Sequence, residues 1–166
     1  MVNYAGNFNS RLHTSHRGVI IMFKGLKKNA LTRSLWVYHV AASPCNNCDI
    51  EILDLLTPRF DVERFGLMLV GSPRHADVLL ITGCVNKKVL DRILKVYAET
   101  PKPCVVAAFG SCAISGDLFV DSYNFAGPLD KHIPVDVYIG GCPPKPEGMI
   151  LGVVRAVEKL KSLKGL

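Results

Sequence analysis

The sequence has no apolar run long enough to cross a bilayer, although 49% of its 166 residues are hydrophobic. The most apolar early stretch, Gly18 to Leu26, falls well short of the roughly 20 residues that a transmembrane helix needs, and it contains Lys24. No secretory signal pattern is evident. We therefore expect a chain without a transmembrane helix, in an environment where thiols stay reduced.

Motifs of an independent enzyme are also missing. The sequence contains no Gly-x-Gly-x-x-Gly, no phosphate-binding loop and no defensible Ser/His/Asp arrangement. Aromatic residues make up only 8%, and they do not interleave with basic residues in a nucleic-acid reader motif, despite a net charge of +6. We expect no nucleic-acid partner. With only 20% charged residues, the chain is expected to bury further surface against protein partners.

The pattern divides the chain into an N-terminal arm and one domain. Residues 1–33 are predicted to be an arm that includes a short amphipathic segment, Val19 to Lys28, with an apolar and a basic face. Such a segment suits a membrane surface or a neighbouring subunit, and packing on its own domain is an equally good interpretation. Residues 34–166 are predicted to form a single α/β domain.

Within that domain, short apolar runs alternate with helical patterns. The predicted strands are Leu35–Val40, Gly66–Val70, Val78–Thr82, Cys104–Phe109 and Val135–Ile139. The predicted helices are Asp49–Leu56, Lys87–Glu99 and Pro146–Leu163. Apolar strands that alternate with helices indicate a mostly parallel sheet covered on both faces. The predicted fold is a doubly wound, flavodoxin-like α/β domain.

The same pattern predicts where the cysteines lie. In open α/β sheets, ligands bind beyond the carboxyl ends of the strands. Four cysteines follow predicted strands and should meet at that edge: Cys45, Cys48, Cys112 and Cys142. Cys84 also follows a strand, but we interpret it as a packed apolar residue. Cys104 begins its strand and should lie at the opposite edge.

Four thiolates can hold a 4Fe–4S cluster or a structural zinc ion, and a Cys-x-x-Cys pair can also act as a redox dithiol. Structural zinc sites usually use two close cysteine pairs and serve folds without a core of their own. Here there is one close pair and two distant single cysteines. The spacing favours a cluster and leaves zinc and dithiol chemistry open.

Four motifs in one order carry a family resemblance, which covers about Leu35 to Val157. They are Pro44-Cys-Asn-Asn-Cys-Asp-Ile-Glu51, Gly71-Ser-Pro-Arg-His-Ala-Asp77, Gly110-Ser-Cys-Ala113 and Pro134-Val-Asp-Val-Tyr-Ile-Gly-Gly-Cys-Pro-Pro144. This set resembles the small subunit of energy-converting, membrane-bound NiFe hydrogenases and the homologous cluster subunit of respiratory complex I. The complex I relatives have two adjacent cysteines where this chain has Asn47-Cys48, so the spacing points to the hydrogenase branch.

The resemblance implies that Cys45, Cys48, Cys112 and Cys142 hold one 4Fe–4S cluster nearest the NiFe site. It implies an electron-transfer subunit of a ferredoxin-linked, ion-translocating complex, peripheral on the cytoplasmic side of the cell membrane. The partners would be a NiFe-type large catalytic subunit, a ferredoxin-like cluster subunit and membrane subunits. Glu51 could transfer protons at the large-subunit interface or simply stabilise a helix start. The alternative is the same role in a quinone or sulfur reductase, and a zinc or thiol-redox module is a more remote one.

Overall fold

The computed structural model describes residues 34–163, and these residues contain five strands and four α-helices. The strands are β1 (Leu35–Ala41), β2 (Leu67–Leu69), β3 (Val78–Thr82), β4 (Val105–Phe109) and β5 (Val137–Ile139). The helices are α1 (Asn47–Leu55), α2 (Leu90–Glu99), the one-turn α3 (Ser111–Ile114) and α4 (Pro146–Leu163). The predicted arm and its amphipathic segment lie outside the described residues.

The five strands form one sheet in the order β2-β1-β3-β4-β5, and every pair is parallel. This is the flavodoxin-like order, and it confirms the predicted fold class. The order reverses between β1 and β3, whose registers pair Val37 with Val78 and Ala41 with Thr82. Because all strands run the same way, all their carboxyl ends lie at one edge.

Helices cover both faces, as a sheet of nearly continuous apolar strands requires. One face packs against α1 and α4 through a core that includes Ile52, Phe109 and Met149. The other packs against α2, where Ile93 meets a core that includes Leu79. The helices that follow β1 and β3 therefore lie on opposite faces of the sheet. They diverge at the point where the strand order reverses, which is where open α/β sheets bind ligands.

The element boundaries differ slightly from the predictions, for local reasons. α2 begins at Leu90 rather than Lys87, because the Asn86 side chain accepts a hydrogen bond from the Val89 N–H and forms a turn there. β5 is shorter than predicted and begins at Val137. The one-turn helix α3 was not predicted, since four residues give no helical period. Among residues 34–163, no helix is both long and apolar enough to cross a bilayer.

Candidate metal centre

Three loops at the carboxyl edge of the sheet contain the four predicted site cysteines. Cys45 and Cys48 follow β1, Cys112 lies in α3 directly after β4, and Cys142 follows β5. All four are free thiols; Cys48 is buried, Cys112 is half-buried, and Cys45 and Cys142 are exposed. The fold therefore brings together the four side chains that the sequence places at this edge, and it leaves part of their surface open.

Gly110, in the loop after β4, lies against the sulfur of Cys48. Its backbone has φ 83° and ψ 155°, a conformation that is essentially restricted to glycine. A Cβ atom at this position would lie 2.9 Å from Cys48 Sγ, closer than any side chain tolerates. The β4 loop thus passes directly beneath the Cys48 sulfur, and this packing requires a glycine.

Hydrogen bonds join the Cys112 loop to the Cys142 loop. The Gly110 N–H donates to the Ile139 carbonyl at 2.8 Å, and the Ser111 N–H donates to the Gly141 carbonyl at 2.9 Å. The Ser111 hydroxyl donates to the same Gly141 carbonyl at 3.2 Å. Two cysteines that are thirty residues apart in sequence are therefore held on loops that are bonded to each other.

The thiols raise one another's pKa values, which shows how close together they lie. Burial raises the pKa of Cys48 most, and the thiolates of Cys45, Cys112 and Cys142 and the Asp49 carboxylate add to this, so that its pKa rises from 9.0 to about 11. Burial, then Cys142, raises the pKa of Cys112. Four thiolates cannot gather here without a cation to offset their charge. A metal group would supply that charge, and its binding would release the thiol protons.

Asp117 lies beside two of the thiols. Partial desolvation raises the pKa of Cys142, and the Asp117 carboxylate raises it further by its charge and by a hydrogen bond to the thiol. The same carboxylate also raises the pKa of Cys112. The Cys142 side chain is exposed, so a reagent can reach it and the effect of the Asp117 carboxylate on its pKa can be tested by a substitution.

In the cluster-free chain, we expect Asp117→Asn to lower the pKa of Cys142 and, to a smaller extent, that of Cys112. The carboxylate disfavours the thiolate, so its removal lets the thiolate form at lower pH and react sooner with an alkylating agent. Mass spectrometry of each cysteine after brief alkylation, over a pH series, measures this. Cys84 is the internal control, because burial alone raises its pKa. An unchanged pH profile at Cys142 would contradict the assignment.

The remaining cysteines lie where the sequence predicted. Cys84 follows β3 at the same edge, is buried, and lines a cavity of about 200 Å³ with Ser43 and Phe125. Cys104 directly precedes β4 at the opposite edge, where the Lys102 ammonium lies 3.4 Å from its sulfur. The structure thus separates Cys104 from the four site cysteines and keeps Cys84 as a near neighbour of Cys112.

Within the described part of the chain, no three Cys, His, Asp or Glu side chains are gathered closely enough to hold a single metal ion. A 4Fe–4S cluster makes a different demand, since each of its four thiolates binds a separate iron of the cluster rather than one shared ion. Glu51 lies in the second turn of α1 and is half-buried. Its proposed proton-transfer role remains a prediction.

One polar group beside the site was not identified from the sequence. Asp49 lies in the first turn of α1, whose N-cap residue, Asn46, makes no side-chain cap hydrogen bond, and the Asp49 carboxylate bonds to the sheet. Its partners are Thr82 at the end of β3 and His39 in β1. The sequence feature that could have indicated this polar group is the presence of Thr82 and His39 within mostly apolar strands.

Comparison with known proteins identifies the family. Residues 45–156, more than half of the chain, match the family described as NADH ubiquinone oxidoreductase, 20 Kd subunit. The chain belongs to this family. A probable membrane-bound hydrogenase subunit of Pyrococcus furiosus, mbhJ, is 55% identical over 134 residues, which are 80% of this chain and 80% of that protein. Formate hydrogenlyase subunit 7 of Escherichia coli is 45% identical over 136 residues, 82% of this chain and 52% of the relative.

Solved structures agree with this membership of the 20 kDa subunit family. A chain of the membrane-bound sulfane sulfur reductase, an archaeal respiratory membrane complex, matches with a TM-score of 0.72 at 44% identity, over 82% of this chain and 76% of that one. A chain of the NAD+-reducing NiFe-hydrogenase matches with a TM-score of 0.61 at 16% identity, over 76% and 93%, and shares the fold. The predicted kinship is confirmed, and the chain is an oxidoreductase subunit.

Proposed function

We propose that this chain is the electron-transfer subunit of a membrane-bound NiFe hydrogenase complex and that it holds one 4Fe–4S cluster. Cys45, Cys48, Cys112 and Cys142 are the proposed ligands. The observation that supports this most is their convergence at one sheet edge, from the segments that follow β1, β4 and β5. There the thiolates of Cys45, Cys112 and Cys142 all contribute to the raised pKa of Cys48, and those of Cys142 and Cys45 to that of Cys112. When bound, such a cluster accepts and passes on single electrons.

The arrangement suits a cluster better than the two other thiol chemistries. Structural zinc sites usually use two close cysteine pairs, whereas this chain has one close pair and two distant single cysteines. In the Cys45-x-x-Cys48 pair, Cys48 is buried and its pKa is raised to about 11, which disfavours Cys48 as the reactive thiol of a redox dithiol. A cluster fills the space among the loops, and each of its irons can take one of the four thiolates.

The hydrogenase assignment is supported by two features. The spacing Cys45-Asn46-Asn47-Cys48 is that of the hydrogenase branch that the motifs resemble. Among the relatives, a membrane-bound hydrogenase subunit of Pyrococcus furiosus is 55% identical over four fifths of both chains. We place the subunit on the cytoplasmic side of the membrane, between a ferredoxin-like cluster subunit and a NiFe-type large subunit. Membrane subunits of the same complex would translocate ions.

The test is anaerobic purification of the complex that contains this chain, from its own cells or after co-expression. We expect nickel in the large subunit, a 4Fe–4S electron paramagnetic resonance (EPR) signal upon reduction, and hydrogen evolution from reduced ferredoxin. Stoichiometric zinc in this chain without iron would overturn the cluster. A complex with the cluster but without nickel or hydrogen evolution would overturn the hydrogenase assignment alone.

A second candidate is the same relay role in a sulfur reductase. The match to a chain of the sulfane sulfur reductase, at 44% identity and a TM-score of 0.72, favours it. The chemistry of the large subunit separates the two, because a NiFe centre requires two cysteine pairs there. Sulfide production from a polysulfide by the purified nickel-free complex, without hydrogen evolution, would establish this second candidate. Reduction of a quinone would indicate the complex I-like variant.

A further inference from the structure

Three side chains from three elements form a hydrogen-bonded network under the first turn of α1. The Thr82 hydroxyl donates to Asp49 Oδ1 at 2.9 Å. His39 Nε2 lies 2.8 Å from Thr82 Oγ1 and 3.1 Å from Asp49 Oδ1. Because a carboxylate only accepts, the threonine proton points to Asp49, and the histidine nitrogen is the donor to both oxygens. The network thus joins β1, β3 and α1.

The sheet register explains why these residues meet. His39 is paired with Leu80 and Ala41 with Thr82, so His39 and Thr82 project from the same face of neighbouring strands. That is the face covered by α1. The side chain of Thr82 is fully buried, while about a fifth of the His39 and Asp49 side chains is exposed. A buried hydroxyl that loses its hydrogen-bond partner destabilises the fold, so the bond from Thr82 to Asp49 contributes to stability.

The network takes the place of a helix cap. Asn46, at the N-cap of α1, has a left-handed backbone and makes no side-chain cap bond, and the acidic residue of the first turn is Asp49. A solvent-exposed Asp49 carboxylate would stabilise the helix only by its interaction with the positive end of the helix dipole. Here it is tied to the sheet instead. Since Cys48 is its immediate neighbour, the same bonds fix the backbone that positions the buried Cys48 sulfur over Gly110.

The network also fixes a negative charge. The Asp49 carboxylate is adjacent in sequence to Cys48, and its bonds to Thr82 and His39 hold it in the first turn of α1. A fixed negative charge next to a cluster ligand disfavours an added electron on the cluster, because the electron increases the local negative charge. Hydrogen bonds and charge around cluster ligands are established determinants of potential.

We propose that His39 and Thr82 are positioning residues that hold the Asp49 carboxylate beside Cys48, and that this arrangement lowers the reduction potential of the bound cluster. The proposal rests on the proposed cluster function. Asp49 supplies the charge, Thr82 supplies the buried hydrogen bond, and His39 bonds both from the neighbouring strand. Without the Thr82 hydroxyl, the carboxylate keeps only its bond to His39 and is held less firmly, so its effect on the cluster weakens.

The experiment is an EPR-monitored redox titration of the purified complex, following the signal that Cys48→Ser removes. We expect Asp49→Asn, which has the same shape without the charge, to shift the midpoint potential upwards. Thr82→Val should shift the midpoint potential in the same direction, and Thr82→Ser, which keeps the hydroxyl, should leave it at the original value. In the Asp49→Asn background, Thr82→Val should add no further shift, because Thr82 acts through Asp49.

Thr100→Val is the matched control. Thr100 is also buried, at 2% exposure, and its hydroxyl donates a hydrogen bond to the Val96 carbonyl at the end of α2, away from the four site cysteines. It should leave the potential unchanged. If Asp49→Asn leaves the midpoint where it is, or if Thr82→Val shifts it equally in the Asp49→Asn background, the proposal is wrong. Absence of a cluster signal from the unaltered complex would overturn the proposed function itself.

Discussion

Replacing Cys48 with serine in the assembled complex is expected to remove the cluster of this subunit. Cys48 is the buried member of the four, and a serine hydroxyl is a far weaker ligand for iron than a thiolate. Iron and sulfide should fall by about four each per complex, the corresponding EPR signal should disappear, and electron transfer through the complex should stop. Iron and sulfide analysis together with EPR of the reduced complex measures the loss.

Two other cysteine variants serve as controls for this experiment. Cys84→Ala removes a buried thiol at the same sheet edge, and Cys104→Ala removes one at the opposite edge. Both should retain iron, sulfide and the EPR signal, since neither residue belongs to the proposed ligand set. Loss of the cluster in Cys84→Ala, or its retention in Cys48→Ser, would refute the ligand assignment.

Replacing Gly110 with alanine is expected to have nearly as large an effect without removing any ligand. The added methyl group would lie 2.9 Å from Cys48 Sγ, and the backbone there has φ 83°. Such a backbone costs about 1–3 kcal/mol for any other residue. The methyl group would also displace the sulfur from its position. We expect most of the cluster to be lost and the melting temperature of the chain to fall, as measured by iron content and thermal denaturation.

Gly140→Ala is the matched control for this prediction. Gly140 lies in the Cys142 loop, it is not among the glycines with positive φ, and a Cβ there would meet nothing within 4 Å. The same chemical change beside the same site should therefore leave both the iron content and the melting temperature nearly unchanged. Equal damage from the two variants would show that Gly110 has no special packing role.

Local pattern was enough to predict the fold and the location of the cysteines. Strand and helix periods give a parallel sheet, and a parallel sheet has one carboxyl edge, so any residue that directly follows a strand is assigned to that edge. Cys45, Cys112 and Cys142 needed nothing more. Cys104 was assigned to the other edge by the same reasoning, because it precedes β4.

Other features depend on which residues from distant segments become neighbours, and the tertiary structure alone decides that. The period of a strand does not give its register, so the side-chain contact of His39 with Thr82 could not be predicted, nor could the bond from Thr82 to Asp49. The same holds for Gly110: its sequence context indicates a turn, but only the packing of α1 against the sheet places the Cys48 sulfur above it. The sequence by itself determined the fold class and the set of thiols at one edge, through short-range periodicity. The tertiary structure decided the polar and steric surroundings of those thiols, because contacts between distant segments create them.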